Sequence, residues 1–214
     1  MARLPSLSCD EAITSQVIKN GKVQKEVRIQ SSLREVRKNA ASNEFSENHF
    51  FISVNGAPPQ PKVSIPFFVQ GGFASALSFP RADRSACLSY HLTSQDNGKT
   101  LKLEMTARPE NTEQTCPKTP IGYREIVLVD AASGRVTDVE RSVSEEEYRR
   151  NHRVFFASME YGPQQIGDET LWLPVRMTAH DPKDEGRMVV TYSNYHRYTA
   201  TSVILPAGEP LDTK

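Results

Sequence analysis

At 214 residues the chain is long enough to bury one sizeable core. Its 26 Lys and Arg balance 26 Asp and Glu, so it lacks the basic field that displaces counterions from phosphates, which argues against a nucleic-acid binder. A hydrophobic content of 37% and a mean hydropathy of −0.52 suit sheets with one wet face, and no apolar run approaches the roughly 18 residues of a membrane-spanning helix.

The first residues, Met1 to Pro5, lack the apolar stretch of about 7–15 residues found in a secretory signal. The chain is therefore either cytoplasmic or the mature part of an exported protein. Residues 22–36, 48–55 and 63–69 read as extended, the last interrupted by Pro66. Gly71-Gly72 follows, among Phe67, Phe68, Phe73 and Phe79. Paired glycines amid aromatics suit a mobile flap over an apolar cavity, or a turn closing one end of a sheet; residues 74–79 have room for a turn or two of helix.

From there hairpin follows hairpin. Segments 85–93 and 100–107 flank a connection containing Asn97-Gly98, which supplies the positive φ of a tight reversal. Segments 123–130 and 135–143 flank residues 131–134, where Gly134 can take the left-handed position after a type I turn. Ser144 and Glu147 form a capping box that opens a helix ending near Asn151. Segments 155–161 and 169–180 flank residues 162–168, and residues 181–186 turn the chain into segment 187–201. Along 169–180, Leu171, Leu173, Val175, Met177 and Ala179 fall on one face, with Thr170, Trp172, Pro174, Arg176, Thr178 and His180 on the other, and Pro174 marks an edge, a bulge or a register shift. The expected fold class is mainly β (α+β): a single curved antiparallel sheet, or half-open β-barrel of hairpins, with one or two short helices. One domain spans residues 1–205, followed by a tail over 206–214.

The chain carries no nucleophile elbow, phosphate loop, dinucleotide fingerprint or zincin motif, so no catalytic residue is assigned and no enzyme is expected. Cys87 and His91 would share a strand face, but four residues span about 13 Å, too far for one metal ion. Asp181, Asp184 and Glu185 read as a solvated turn, Glu145 to Glu147 as helix-start carboxylates, and residues 34–38 as an exposed strand end. No metal site and no cofactor is expected. Tyr192, Tyr195, His196 and Tyr198 form the densest aromatic cluster. With no bulge, Tyr192, His196 and Tyr198 share a face opposite Tyr195, as cross-strand packing or as an interaction rim. The cysteines leave two readings open. Cys9, Cys87 and Cys116 are three free thiols of a reducing compartment, or Cys87 and Cys116 are bridged, a gain of about 3–4 kcal/mol on loop entropy.

Several segments resemble uncharacterised bacterial envelope proteins with a lipoprotein-carrier-like (LolA-like) fold. They are Leu4-Pro5-Ser6-Leu7-Ser8-Cys9-Asp10, Phe51-Ile52-Ser53-Val54-Asn55-Gly56, Val129-Asp130-Ala131-Ala132-Ser133-Gly134-Arg135-Val136, residues 167–176 and residues 192–198. The export signal and N-terminal helix usual in that family are missing here. The resemblance implies an exported, periplasmic mature domain, which favours the Cys87–Cys116 bridge, and a curved sheet with an apolar concave face. It further implies, by analogy of fold alone, a non-enzymatic role binding a lipid, an acyl chain or a lipidated partner in that face. The residues expected to line it are Phe67, Phe68, Phe73, Phe79, Leu171, Leu173 and Met177. The alternative is a protein–protein module, such as an envelope sensor or assembly factor, using a strand edge or a rim of Tyr192, Tyr195 and Tyr198.

Overall fold

The computed structural model describes residues 5–37, 45–73, 82–112, 114–116, 119–120, 122–151, 155–183 and 185–198. Expectations for Phe79, for a helical turn over 74–79, for Asp184 and for the tail over 206–214 lie outside them.

Ten strands form one antiparallel sheet that does not close into a barrel. In chain order they are β1 (Leu7–Lys19), β2 (Lys22–Arg37), β3 (Phe45–Val54), β4 (Leu88–Gln95), β5 (Thr100–Ala107), β6 (Arg124–Asp130), β7 (Val136–Ser142), β8 (Phe156–Ile166), β9 (Glu169–His180) and β10 (Gly186–Arg197). Their order across the sheet is β3-β2-β1-β10-β9-β8-β7-β6-β5-β4. Sequence neighbours are therefore hydrogen-bonded neighbours except at β3 and β4, which form opposite edges. The first strand closes against the last instead, through the β1–β10 ladder.

Turn chemistry fixes the hairpins. Asn20-Gly21 joins β1 to β2 with both φ angles positive, 52° and 71°, the geometry whose twist matches paired strands. Gly134 takes the expected left-handed conformation. The β8–β9 hairpin is tighter than expected: Ile166 pairs with Glu169, so residues 162–166 belong to the strand. Ser144 accepts a hydrogen bond from the Glu147 N–H at 3.1 Å and opens helix α1 (Glu145–Asn151) as expected.

Three features depart from the sequence expectation. Residues 7–19 form a long strand at the centre of the sheet. Residues 63–69 form none: around Pro66 the chain runs irregularly and lays Phe67, Phe68 and Val69 against the main core. Asn194, at φ 52°, sits in a register break of the β1–β10 ladder. That bulge turns Tyr195 inward beside Tyr192, and both are buried. In β9, Pro174 pairs with Tyr161 and Arg176 with Glu160, so Val175 is the extra residue of a bulge.

Two cores result. The main one lies under β1, β2, β8, β9 and β10 and includes Leu7, Ile13, Ile29, Leu33, Leu173 and Met188. The second joins Leu88, Met105, Tyr123, Val127, Val139 and Val143, with Tyr148 of α1 packed against it. Tyr161 packs against both.

Candidate functional site: a covered concave face

The β3–β4 connection begins with a strap, residues 57–73, that covers one end of the sheet's inner face. Its apolar side chains do most of the seating. Phe73 is 1% exposed, its ring centroid 4.9 Å from that of Tyr192 and 6.1 Å from that of Tyr195. Phe68 meets His49 and Phe51 edge-on at 5.4 and 6.3 Å. Gly186 makes room for Phe67, since a Cβ there would lie 2.7 Å from the ring.

Polar anchors among the described residues include Ser15 and Glu47. Ser15 Oγ donates to the Phe67 carbonyl at 2.7 Å and accepts from its N–H at 3.0 Å. The Gly71 N–H donates to Glu47 Oε1 at 2.9 Å. Gly71 itself has φ 74°, a conformation that favours glycine.

Of the residues expected to line a cavity, Phe67, Phe68, Phe73, Leu171, Leu173 and Met177 all belong to this core or pack against it. Leu173 is 0% exposed and Met177 is buried, with Gly72 of the strap so close to Met177 that a Cβ there would lie 2.5 Å from its sulfur. The expected rim separates. Tyr192 and Tyr195 are interior, because the bulge at Asn194 reverses the alternation, whereas Tyr198 is half-buried with the Arg34 guanidinium 5.3 Å from its ring centre.

Beneath the strap the structure brings together polar residues that the sequence reading left apart. Cross-strand pairing sets Leu7, Glu35 and Glu47 in one row, Cys9, Leu33 and His49 in the next, and Glu11, Ser31 and Phe51 in a third. Glu11 and Glu35 are buried. His49 Nδ1 donates to Glu11 Oε2 at 2.8 Å and Nε2 to Glu47 Oε1 at 2.7 Å. A ring with carboxyl oxygens at both nitrogens is an imidazolium. Burial opposes that charge, but the bonds to Glu11 and Glu47 outweigh it and push the His49 pKa up to about 10.

Glu35 is 1% exposed. Burial first, then the Glu47 carboxyl opposite, to which a protonated Glu35 donates a hydrogen bond, pushes its pKa up to about 9. Ser31 Oγ is buried and unpartnered, which costs about 1–3 kcal/mol. The signal for this cluster was present: Glu11 and Glu35 share the parity of the buried residues on β1 and β2, and Glu47 and His49 that of the less exposed residues on β3.

The second core has its own buried polar group. Glu125 accepts from Arg141 Nε at 2.7 Å and from the Tyr123 hydroxyl, so it is satisfied. Among the described residues no group of three His, Cys, Asp or Glu side chains is arranged to hold a metal ion. The Asp181 carboxylate instead accepts from the N–H groups of Lys183, Glu185 and Gly186, the role of a turn residue. Two open recesses of about 500 and 280 Å3 lie on the surface, one lined by Glu26, Arg28, Gln30 and Asn55, the other by Lys183, Glu185 and Arg187 near Asn20.

Cys87 and Cys116 are disulfide-bonded with Cα atoms 5.9 Å apart, which removes Cys87 as a metal ligand and closes the β4–β5 end. Cys9 is a free, buried thiol, its pKa raised by burial and then by Glu11.

No family model matches the sequence, and no curated protein matches it. Solved structures do. A Vibrio parahaemolyticus domain whose name assigns it to outer membrane lipoprotein sorting superposes over 92% of this chain and 87% of its own, with a TM-score of 0.53 at 12% identity. A DUF1329 family protein from Desulfovibrio piger covers 92% of this chain and 88% of its own, at 0.49 and 13%. A LolA superfamily protein from Nitrosomonas europaea covers 94% and 89%, at 0.42 and 14%. The fold is LolA-like; at these identities the likeness is one of fold.

Proposed function

We propose that this is a non-enzymatic exported envelope protein that binds a lipid, an acyl chain or a lipidated partner on the concave face of its sheet. The observation that carries this reading is the strap. An open sheet whose inner face is covered by a segment seated mainly through Phe67, Phe68, Val69 and Phe73 offers an acyl chain an apolar floor if the segment lifts. Likeness of fold to a domain named for lipoprotein sorting supports it, and the Cys87–Cys116 bridge supports an oxidising compartment. The test is organic extraction and native mass spectrometry of the purified protein, with uptake of a fluorescent fatty acid by delipidated material. Co-purifying lipid or saturable uptake is expected. Lipid-free protein that takes up none overturns the reading.

A protein–protein role draws on a different observation. Edge strand β4 contains no Asp, Glu, Lys, Arg or Pro, pairs with β5 without a bulge, and exposes Tyr90 at 51% and Leu92 at 63%. Edges normally carry charges or breaks that prevent strand addition. Under this reading Leu92→Lys abolishes capture of a partner in a pull-down from envelope extract; unchanged capture removes it.

A further inference from the structure

The sheet ends in two open edges, β3 and β4, and they differ. β3 carries Glu47 and a register shift against β2 between Gln30 and Ser31, a charge and a bulge of the kind that discourage strand addition. β4 has no Asp, Glu, Lys or Arg and no shift against β5.

The β4–β5 ladder decides which backbone groups face outward. The Arg108 N–H donates to the Cys87 carbonyl at 3.2 Å, and the Ala107 N–H points the other way, to the Tyr123 carbonyl at 2.8 Å. Bonding alternates along an antiparallel pair. Ser89, His91 and Thr93 therefore turn their N–H and C=O groups to β5, and Tyr90 and Leu92 turn theirs to the open edge. The same two residues expose their side chains. They stand in rows with Met105 and Leu103, which belong to the second core or pack against it.

The edge is close to a palindrome about His91. A two-fold axis there sets Tyr90 opposite Leu92 of a second copy and Ser89 opposite Thr93. Apolar meets apolar and hydroxyl meets hydroxyl, both favourable cross-strand pairs, and no charge opposes itself. The row of Leu103 and Leu92 then runs on into Tyr90 and Met105 of the second copy, so the two second cores meet across the axis.

We infer that β4 is the edge through which two copies of this chain join, antiparallel about His91, into one continuous sheet. This goes beyond the carrier reading; it rests on the same exposed edge as the protein–protein reading and gives that edge one occupant. Because β3 is guarded, the pairing closes at two copies. A strand of 8 residues buries less than a standard interface, so the dissociation constant is roughly micromolar.

Sedimentation velocity of the full chain, from about 1 μM to about 200 μM, is expected to show a monomer–dimer equilibrium. Leu92→Lys, a charge at an exposed edge position, should weaken it about tenfold or more. His91 meets its own copy as a non-hydrogen-bonded pair, with Cα atoms about 4.5 Å apart, within disulfide reach. Under mild oxidation His91→Cys should therefore link two chains, and Thr93→Cys, placed opposite Ser89, should not. A chain that stays monomeric throughout, or a dimer that Leu92→Lys leaves intact, overturns the inference. So does linking through Thr93→Cys in place of His91→Cys. A monomeric chain that still captures a partner through β4 in the pull-down separates failure of the dimer from failure of the protein–protein reading.

Discussion

Glu35 and His49 give the protein a directional response to pH. Glu35 titrates near 4.5 when unfolded and about 9 when folded. The folded state therefore holds an extra proton between those values, and stability falls as pH rises through that window, by at most about 1.4 kcal/mol per pH unit for one group. His49, raised from 6.5 to about 10, contributes stability that is fully present below pH 6.5 and lost as pH rises through 10. Both slopes have the same sign. Urea unfolding at pH 5, 7 and 9 should show a steady decline, and Glu35→Gln should flatten it and raise the midpoint at pH 8; a midpoint that climbs with pH contradicts the assignment. Cys9, buried and unbridged, should resist maleimide in the native state. Unreduced protein should then label at one thiol per chain on denaturation, and three would mean that the bridge does not form.

Elements were legible in the sequence where their buried faces are apolar. The hairpins from β4 to β9, the capped helix and the bulge at Pro174 follow from alternation and turn chemistry. Strand β1 was not legible. Its buried face reads Leu7, Cys9, Glu11, Ile13 and Ser15, so period-two hydrophobicity dissolves wherever Glu and Ser occupy inner positions. The same cause made residues 34–38 look like a solvated strand end when Glu35 points inward. Residues 63–69 erred the other way: their apolar run is buried against the sheet without a ladder, and composition alone does not separate the two.

The strap's seating can be probed at Gly186, where a Cβ would meet the rigid Phe67 ring and Asp181 Oδ2. Gly186→Ala should cost about 1–3 kcal/mol as overpacking and raise amide exchange across residues 63–73. If exchange rises only around β10, Phe67 does not hold the strap. The double variant Cys87→Ser/Cys116→Ser should lose roughly 3–4 kcal/mol by loop entropy, measured as a lower denaturant midpoint, with opening greatest at the β4–β5 end.

At the scale of the whole molecule, one open sheet carries two cores joined through Tyr161. Sequence patterning anticipated the curved antiparallel architecture, but the edge-to-edge passage from β3 to β4 left no local signal, because strand order follows from which inner faces fit together. Placing the candidate site needed that order. Glu11, Glu35, Glu47 and His49 come from three strands, and only cross-strand register sets them in adjoining rows.

The ladder between the first and last strands also dictates when the fold can be finished. During synthesis more than 160 residues separate the end of β1 from the start of β10, so that half of the sheet stays incomplete while the run from β4 to β9 can already pair locally. Such long-range closure makes folding slow. Under the exported reading proposed above, the half carrying the acid cluster and the strap is completed only once the C-terminal strand is through.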